Sequence, residues 1–356
     1  MKTKNLQECI KRLKKVYSGG NSLPILDNIH FDNGMAVVTN LELWIRVPVS
    51  IKGNFLIRFK DLERAMKGIK TDEVEIVFSE DGKKVLVKAV GKERKFTFPS
   101  DDVQEYVTTP IAAQPGGKLT AIDLDLISRT IKFAGNDDLR SVMSGVLIGE
   151  QIVSTNAHHL VWHDIEGETT EPIIICKLKA IMVNGWESCE IYLGKNEASE
   201  AYFTYARFLN PDTGEELIGR LTQGKFPNYK SVIPRMDAQL HKAVIDKKEL
   251  LETISGALIC ANQTNFQARF EINNAEQLTV SSEDIDLERE FEELLPGTYE
   301  SEENLFVDST FGVNLKFLKM VVRDIDKEKI TINWQAGNRA ILIEDNYLIM
   351  PVMLNN

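Results

Sequence analysis

No stretch of this 356-residue chain approaches the roughly 18 consecutive apolar residues of a membrane span, and it opens without an apolar signal core. The expectation is a cytoplasmic protein with no membrane partner. Its four cysteines, Cys9, Cys176, Cys189 and Cys260, show no CxxC spacing, which fits reduced thiols. Positive charge is in deficit, and the net charge of −11 argues against a protein that merely adheres to DNA. Catalytic signatures are missing as well. There is no GxSxG, HExxH or Cys/His nucleophile arrangement, and Gly116-Gly117-Lys118-Leu119 lacks the spacing and the Ser/Thr of a phosphate loop. The chain is expected to be no enzyme and to need no cofactor. His158, His159 and His163 do not suggest a metal: on a strand the first two point to opposite faces, and His159 to His163 spans roughly 13 Å, too far for one zinc. The run Glu283-Asp284-Ile285-Asp286-Leu287-Glu288 raises a metal-dependent nuclease as a rival reading. Its alternation reads better as the wet face of a strand.

What is present is a soluble composition, 43% hydrophobic and 27% charged, at a length that favours two or three domains. Strand signals dominate, as in 73–78 and 329–334, where apolar and polar residues alternate. Six stretches read as helices: 5–17, 60–70, 123–132, 173–184, 246–258 and 314–324. Asp61, Asp123 and Asp246 stand at helix starts, where carboxylates cap and oppose the dipole. One order of elements recurs. Strand pairs at 23–42, 140–157 and 265–283 each follow a helix, and Thr39 to Thr155 to Ser281 are separated by 116 and 126 residues. Such spacing suggests triplication. Pro110–Gly117 and Pro234–Asp237 read as linkers, which gives domains at 1–115, 116–236 and 237–356. The expected class is α+β, each domain two helices over mainly antiparallel sheet.

Charge is unevenly spread. The six helical stretches carry 17 basic and 9 acidic residues, and the remainder carries 25 and 44. Lysine favours helices in any case. Even so, an acidic protein with basic helices can hold a polyanion loosely. Lys11, Arg12, Lys14, Lys15, Lys177, Lys179, Lys247, Lys248, Lys316 and Lys319 are the expected carriers.

The last residues are unusual for a chain end, which is normally frayed and polar. Tyr347-Leu348-Ile349-Met350-Pro351-Val352-Met353-Leu354 is apolar with a proline inside, and only Asn355 and Asn356 follow. Pro351 lacks the N–H a central strand needs, so the run should leave its sheet there and form the lip of a pocket.

Six motifs then carry a resemblance that spans the whole chain: Leu23-Pro24-Ile25-Leu26, Thr39-Asn40-Leu41-Glu42, Arg140-Ser141-Val142-Met143-Ser144-Gly145-Val146, Thr155-Asn156-Ala157-His158-His159-Leu160, Phe226-Pro227-Asn228-Tyr229 and Met350 through Leu354. In this order they resemble the bacterial DNA polymerase III sliding clamp family, the beta-subunit processivity factors. The resemblance implies three tandem clamp domains and a homodimeric ring around duplex DNA, held without sequence preference. Helices would line the hole, with Arg140 added to the DNA-facing set. It also implies a DNA polymerase, an ATP-dependent clamp loader and repair proteins as partners, docked through Gln-Leu-x-Leu-Phe-type segments.

Carried over, the pocket would be Met143, Thr155, Ala157, His158, His159, Leu160, Pro227, Val232, Phe266, Asn314, Phe317, Ala340, Leu348, Ile349, Met350, Pro351, Val352, Met353 and Leu354. Phe96 and Phe98 would meet Leu258 and Ile259 of a second copy. Departures from the family pattern fall at His159, Ser231 and Met353, where arginine is frequent, at Ala157, where glycine is frequent, and at Asn21, where some relatives carry a DNA-contacting arginine. They leave open a clamp-like ring of a mobile element with a rewired pocket.

Overall fold

Apolar residues at helical spacing bury one side of Thr3–Leu13 (α1), where Leu6, Cys9, Ile10 and Leu13 are covered while Lys11 stays exposed. The same logic forms Phe59–Gly68 (α2), and Tyr17 stacks on Phe59 at 4.1 Å to hold the two helices together. The computed structural model describes the chain apart from residues 21, 80–81, 177–184, 196–202, 236–240, 273–276, 302–309 and 355–356. Two compact units emerge. The first comprises 1–128, 148–150 and 165–223, and the second 129–147, 151–164 and 224–356.

In the first unit a nine-stranded sheet runs from Glu168–Thr169 through Gln114–Thr120, Ser188–Gly194, Tyr205–Leu209, Glu216–Arg220, Leu43–Pro48, Met35–Thr39 and Asn28–Asp32 to Asn54–Arg58. A smaller sheet joins Val74–Phe78, Lys84–Ala89 and Lys95–Pro99. Ala121–Thr130 (α3) starts on a reciprocal cap. Thr120 Oγ1 accepts the Asp123 N–H, and Asp123 accepts the Thr120 N–H at 2.8 Å. The buried Asp123 carboxylate also accepts the N–H groups of Glu166 and Gly167.

In the second unit, strands Gln151–Thr155, His159–Asp164, Tyr347–Ile349, Ile341–Ile343, Lys329–Trp334, His241–Asp246 and Gly297–Ser301 lie side by side. A second sheet orders Arg289–Leu295, Leu278–Asp284, Gln267–Ile272 and Thr310–Asn314. Lys247–Cys260 (α4) and Leu315–Asp324 (α5) share one core with both sheets, which includes Trp334, Phe270 and Phe311. Each such aromatic contributes roughly 1.5–3 kcal/mol by leaving water. Asp246 caps α4 by accepting from Lys248 and Glu249, and Asn314 caps α5 by accepting from Lys316 and Phe317. Asp61 lies in the first turn of α2, whose N-cap is Arg58.

Three expectations need correction. Ile173–Cys176 is a strand, not the start of a helix, because three successive β-branched isoleucines suit a buried pleat; the rest of that stretch lies outside the described residues. The glycines of the supposed linker at 110–117 belong to strand Gln114–Thr120, which pairs with Ser188–Gly194 across a bulge. Gly116 is there for space, since a Cβ would sit 2.8 Å from Leu193 Cγ. At Gly117 a Cβ would collide with the Glu168 carbonyl, and φ is +136°. The acidic run is only partly a strand: it ends at Asp284, and Ile285–Leu287 forms a 3-10 turn followed by Glu288 at φ +51°.

Candidate functional site

Thr155-Asn156-Ala157-His158-His159 folds as a tight polar turn within the second unit. Thr155 Oγ1 accepts the Ala157 N–H at 3.1 Å, and Asn156 Oδ1 accepts from His158 and His159 at 2.9 and 3.0 Å. Thr39-Asn40-Leu41-Glu42-Leu43 repeats the arrangement: Thr39 accepts from Leu41, and Asn40 accepts from Glu42 and Leu43. Leu41 and Ala157 both take positive φ, +74° and +75°. That conformation disfavours any side chain, so the side-chain oxygens compensate. In the third echo, by contrast, the strand runs on through Ser281–Glu283.

The turn places both histidines on Phe317. The rings of His158 and His159 lie 6.0 and 4.8 Å from that of Phe317. Opposite faces were expected, but strand geometry begins only at His159, and the positive φ at Ala157 redirects His158. His159 is buried. Its Nε2–H donates to the Phe133 carbonyl at 3.1 Å, and Nδ1 has no partner among the described residues. Burial pushes its pKa down to about 4, with the neighbouring His158 adding to the depression and the Phe133 carbonyl opposing it. The imidazole is therefore a neutral strut rather than a substitute for a charged rim residue.

Around this pair the last residues assemble. Tyr347–Ile349 pairs antiparallel with His159–Val161, Leu348 opposite Leu160 and Ile349 opposite His159. The Tyr347 hydroxyl donates to Asp324 at 2.8 Å, and Arg129 reaches the same carboxylate at 3.4 Å. Burial, reinforced by Asp324, pushes the Tyr347 pKa up. The Met350 N–H donates to the His158 carbonyl, after which Pro351 ends the pairing as its missing N–H requires. Val352 donates to Gly312, and Met353 is left 70% exposed.

Phe266, at φ +49°, accepts the Leu315 N–H at 2.8 Å, and Lys316 Nζ stands 3.3 Å from the centre of its ring. Asn314 bonds the Asn265 carbonyl through Nδ2 while capping α5. Met143 is tied in through its carbonyl, which accepts from Gly135. The segment holding Pro227 is pinned by Tyr229, whose hydroxyl donates to Gln151 at 2.9 Å. Val232 is 48% exposed and Ala340 half-buried; neither joins the hydrogen bonds and ring contacts around Phe317. Gly312 was not anticipated. Nearby, only Asn314 was expected in the pocket, through the family resemblance, and a strand glycine gives no signal until the chain that crosses it is known.

The expected DNA-facing residues divide by what already holds them. Lys11 and Lys15 are exposed on and just beyond α1, and Lys248 is exposed on α4 near Glu252. Arg12 is paired with Glu215 at 2.8 Å, Lys14 with Glu63 at 2.6 Å and Arg140 with Asp137 at 3.6 Å. Lys247 Nζ donates to the Ile325 carbonyl, and Lys319 Nζ to Ser255 at 2.9 Å. Lys177, Lys179 and Asn21 lie outside the described residues.

Phe96 and Phe98 stack at 6.3 Å, half-buried, on the edge strand Lys95–Pro99. In the second unit Ile259 is 68% exposed, Leu258 is half-buried, and Arg289–Leu295 is a sheet edge. The rival carboxylate pair does not converge on solvent: Asp284 is buried and accepts the Leu287 N–H, while Glu283 is exposed.

Residues 230–351 match the family described as DNA polymerase III beta subunit, C-terminal domain. Over 94% of its length the chain is 24% identical to the beta sliding clamp of Pseudomonas putida, covering 93% of that protein. To the beta sliding clamp of Proteus mirabilis it is 23% identical, with 98% of each chain covered. Its fold superposes on the DNA polymerase sliding clamp of Bacillus subtilis with a TM-score of 0.83 at 16% identity, covering 100% of this chain and 98% of that one.

Proposed function

Taking as premise that this chain is a divergent homologue of the beta sliding clamps, we propose that it is a non-catalytic processivity factor: a homodimeric ring of three clamp domains per copy, the first ending before strand Gln114–Thr120 and the second near residue 236. The ring holds a DNA polymerase on duplex DNA by encirclement. Non-specific attraction suffices, because a closed ring need only slide. Lys11 and Lys15 are its exposed DNA-facing charges, with Lys248 in a loose 3.9 Å pair with Glu252; the other paired or bonded ones adjust the field rather than grip phosphate. The resemblance implies an ATP-driven loader as a partner, although this chain carries no nucleotide-binding motif of its own.

Dimer closure is read from two sheet edges that are free among the described residues. One carries Phe96 and Phe98 with Lys92 and Lys95, and the other lies beside Leu258 and Ile259 with Glu290, Glu292 and Glu293. Unpaired edges of opposite charge and exposed apolar residues favour pairing between copies.

The observation that carries the docking role is the tail seated between the His158–His159 turn and Gly312, beside Phe317. Apolar anchors of a Gln-Leu-x-Leu-Phe-type segment, from polymerase, loader or repair proteins, would bury against it. One leucine or phenylalanine anchor contributes roughly 1.5–3 kcal/mol, which makes single-site binding micromolar and exchange fast. The test is fluorescence anisotropy of a labelled peptide of that type against the whole chain and a chain ending at Met350. Saturable binding that disappears on truncation is expected; binding that survives truncation contradicts the site. A second reading, a ring with a rewired pocket, is favoured by the buried neutral His159 and the exposed Met353, at positions where the resemblance implies positive charge. It predicts that neither form takes this peptide.

A further inference from the structure

The tail is fixed at two backbone points. Met350 N–H donates to the His158 carbonyl at 2.8 Å, and Val352 N–H donates to the Gly312 carbonyl at 2.9 Å. Pro351 between them has a locked φ. The chain thus crosses from the His159–Asp164 strand to Thr310–Asn314 with little freedom. Thr310–Asn314 pairs on one side with Gln267–Ile272 and is the last strand of its sheet, so its outer edge receives the tail.

Gly312 sits in the middle of that strand and is buried, with no positive φ to require glycine. Space requires it. A Cβ there would collide with the Val352 carbonyl oxygen and lie 2.9 and 3.1 Å from Leu354 Cδ2 and Cγ. A strand-interior glycine weakens a sheet, and close approach of another backbone is the usual reason for one.

We propose that Gly312 is a positioning residue for partner docking: by admitting Val352–Leu354 against the strand it turns the tail into a fixed wall of the groove. This rests on the docking reading above. Specificity for the partner segment then depends on a residue that need not touch it, and any side chain at 312 lifts the wall.

The experiment compares Gly312→Ala with the unaltered protein, each as the full chain and as a chain ending at Met350. Amide exchange of Val352 is expected to be at least tenfold faster in the full-length variant, and affinity for the labelled peptide at least tenfold weaker. In the shortened chain the three atoms nearest that Cβ, all from Val352 and Leu354, are gone, so the substitution should leave the thermal midpoint where truncation put it. Unchanged Val352 exchange in the full-length variant overturns the inference. An equal fall in thermal midpoint in both backgrounds also overturns it, because the methyl would then act through the sheet alone. If the unaltered full chain takes no peptide, the docking reading fails, while Val352 exchange still decides whether Gly312 seats the tail.

Discussion

His159 shows how one residue departs from what its position suggests. The family resemblance leads one to expect arginine there, but this chain folds a histidine inward, against Phe133 and Phe317. Its folded-state pKa, near 4, lies below the ordinary 6.5, so the unfolded chain takes up the proton first. The stabilising contribution is complete above pH 6.5 and is lost as pH falls towards 4. Between pH 7 and 5 that amounts to about 2 kcal/mol. Denaturant melts at the two pH values should show it, and His159→Gln, which retains an N–H for the Phe133 carbonyl, should flatten part of the slope. The rest persists because burial and Arg129 also depress His163, against the opposing pull of Asp324. None of this was legible in the sequence. Two adjacent histidines on a presumed strand gave alternation, whereas burial and the left-handed Ala157 decide where each ring goes.

At the scale of elements, the legible features were those with local causes. Asp123 and Asp246 cap their helices as their residue types suggest, whereas Asp61 lies in a first turn whose N-cap is Arg58, and Pro351 ends its strand where a missing N–H demands it. Asn314→Ala should lower stability by about 1 kcal/mol through the lost cap. Because Phe317 is one of the two N–H donors it holds, a thermal melt should also be accompanied by weaker peptide binding in the anisotropy assay. Features with non-local causes were misread. The run 173–184 has helical composition overall, yet Ile173–Ile175 are buried in a strand. Gly116 and Gly117 read as breakers, but crossing backbone and side chains require their small size. The third echo kept its two strands and lost its turn, since Ser281 and Ser282 continue the pairing with Glu292 and Phe291.

At the scale of the whole molecule, an acidic chain whose positive charge gathers on helices pointed to a loosely held polyanion, and likeness to the sliding clamps over nearly the full length agrees with that reading. The fold class was legible because alternation repeats along the chain. The exposed fraction of the basic set was not, because ion pairs such as Arg12–Glu215 join residues 203 positions apart. The proposal stands or falls on closure, since encirclement needs two copies joined through both pairs of edges. The most direct measurement is therefore the native mass at micromolar concentration, for the unaltered chain and for Phe98→Asp. The account predicts twice the chain mass for the first and a single chain for the second, with the fold of the variant intact by circular dichroism. A monomer in the unaltered protein, or a dimer untouched by Phe98→Asp, would contradict it.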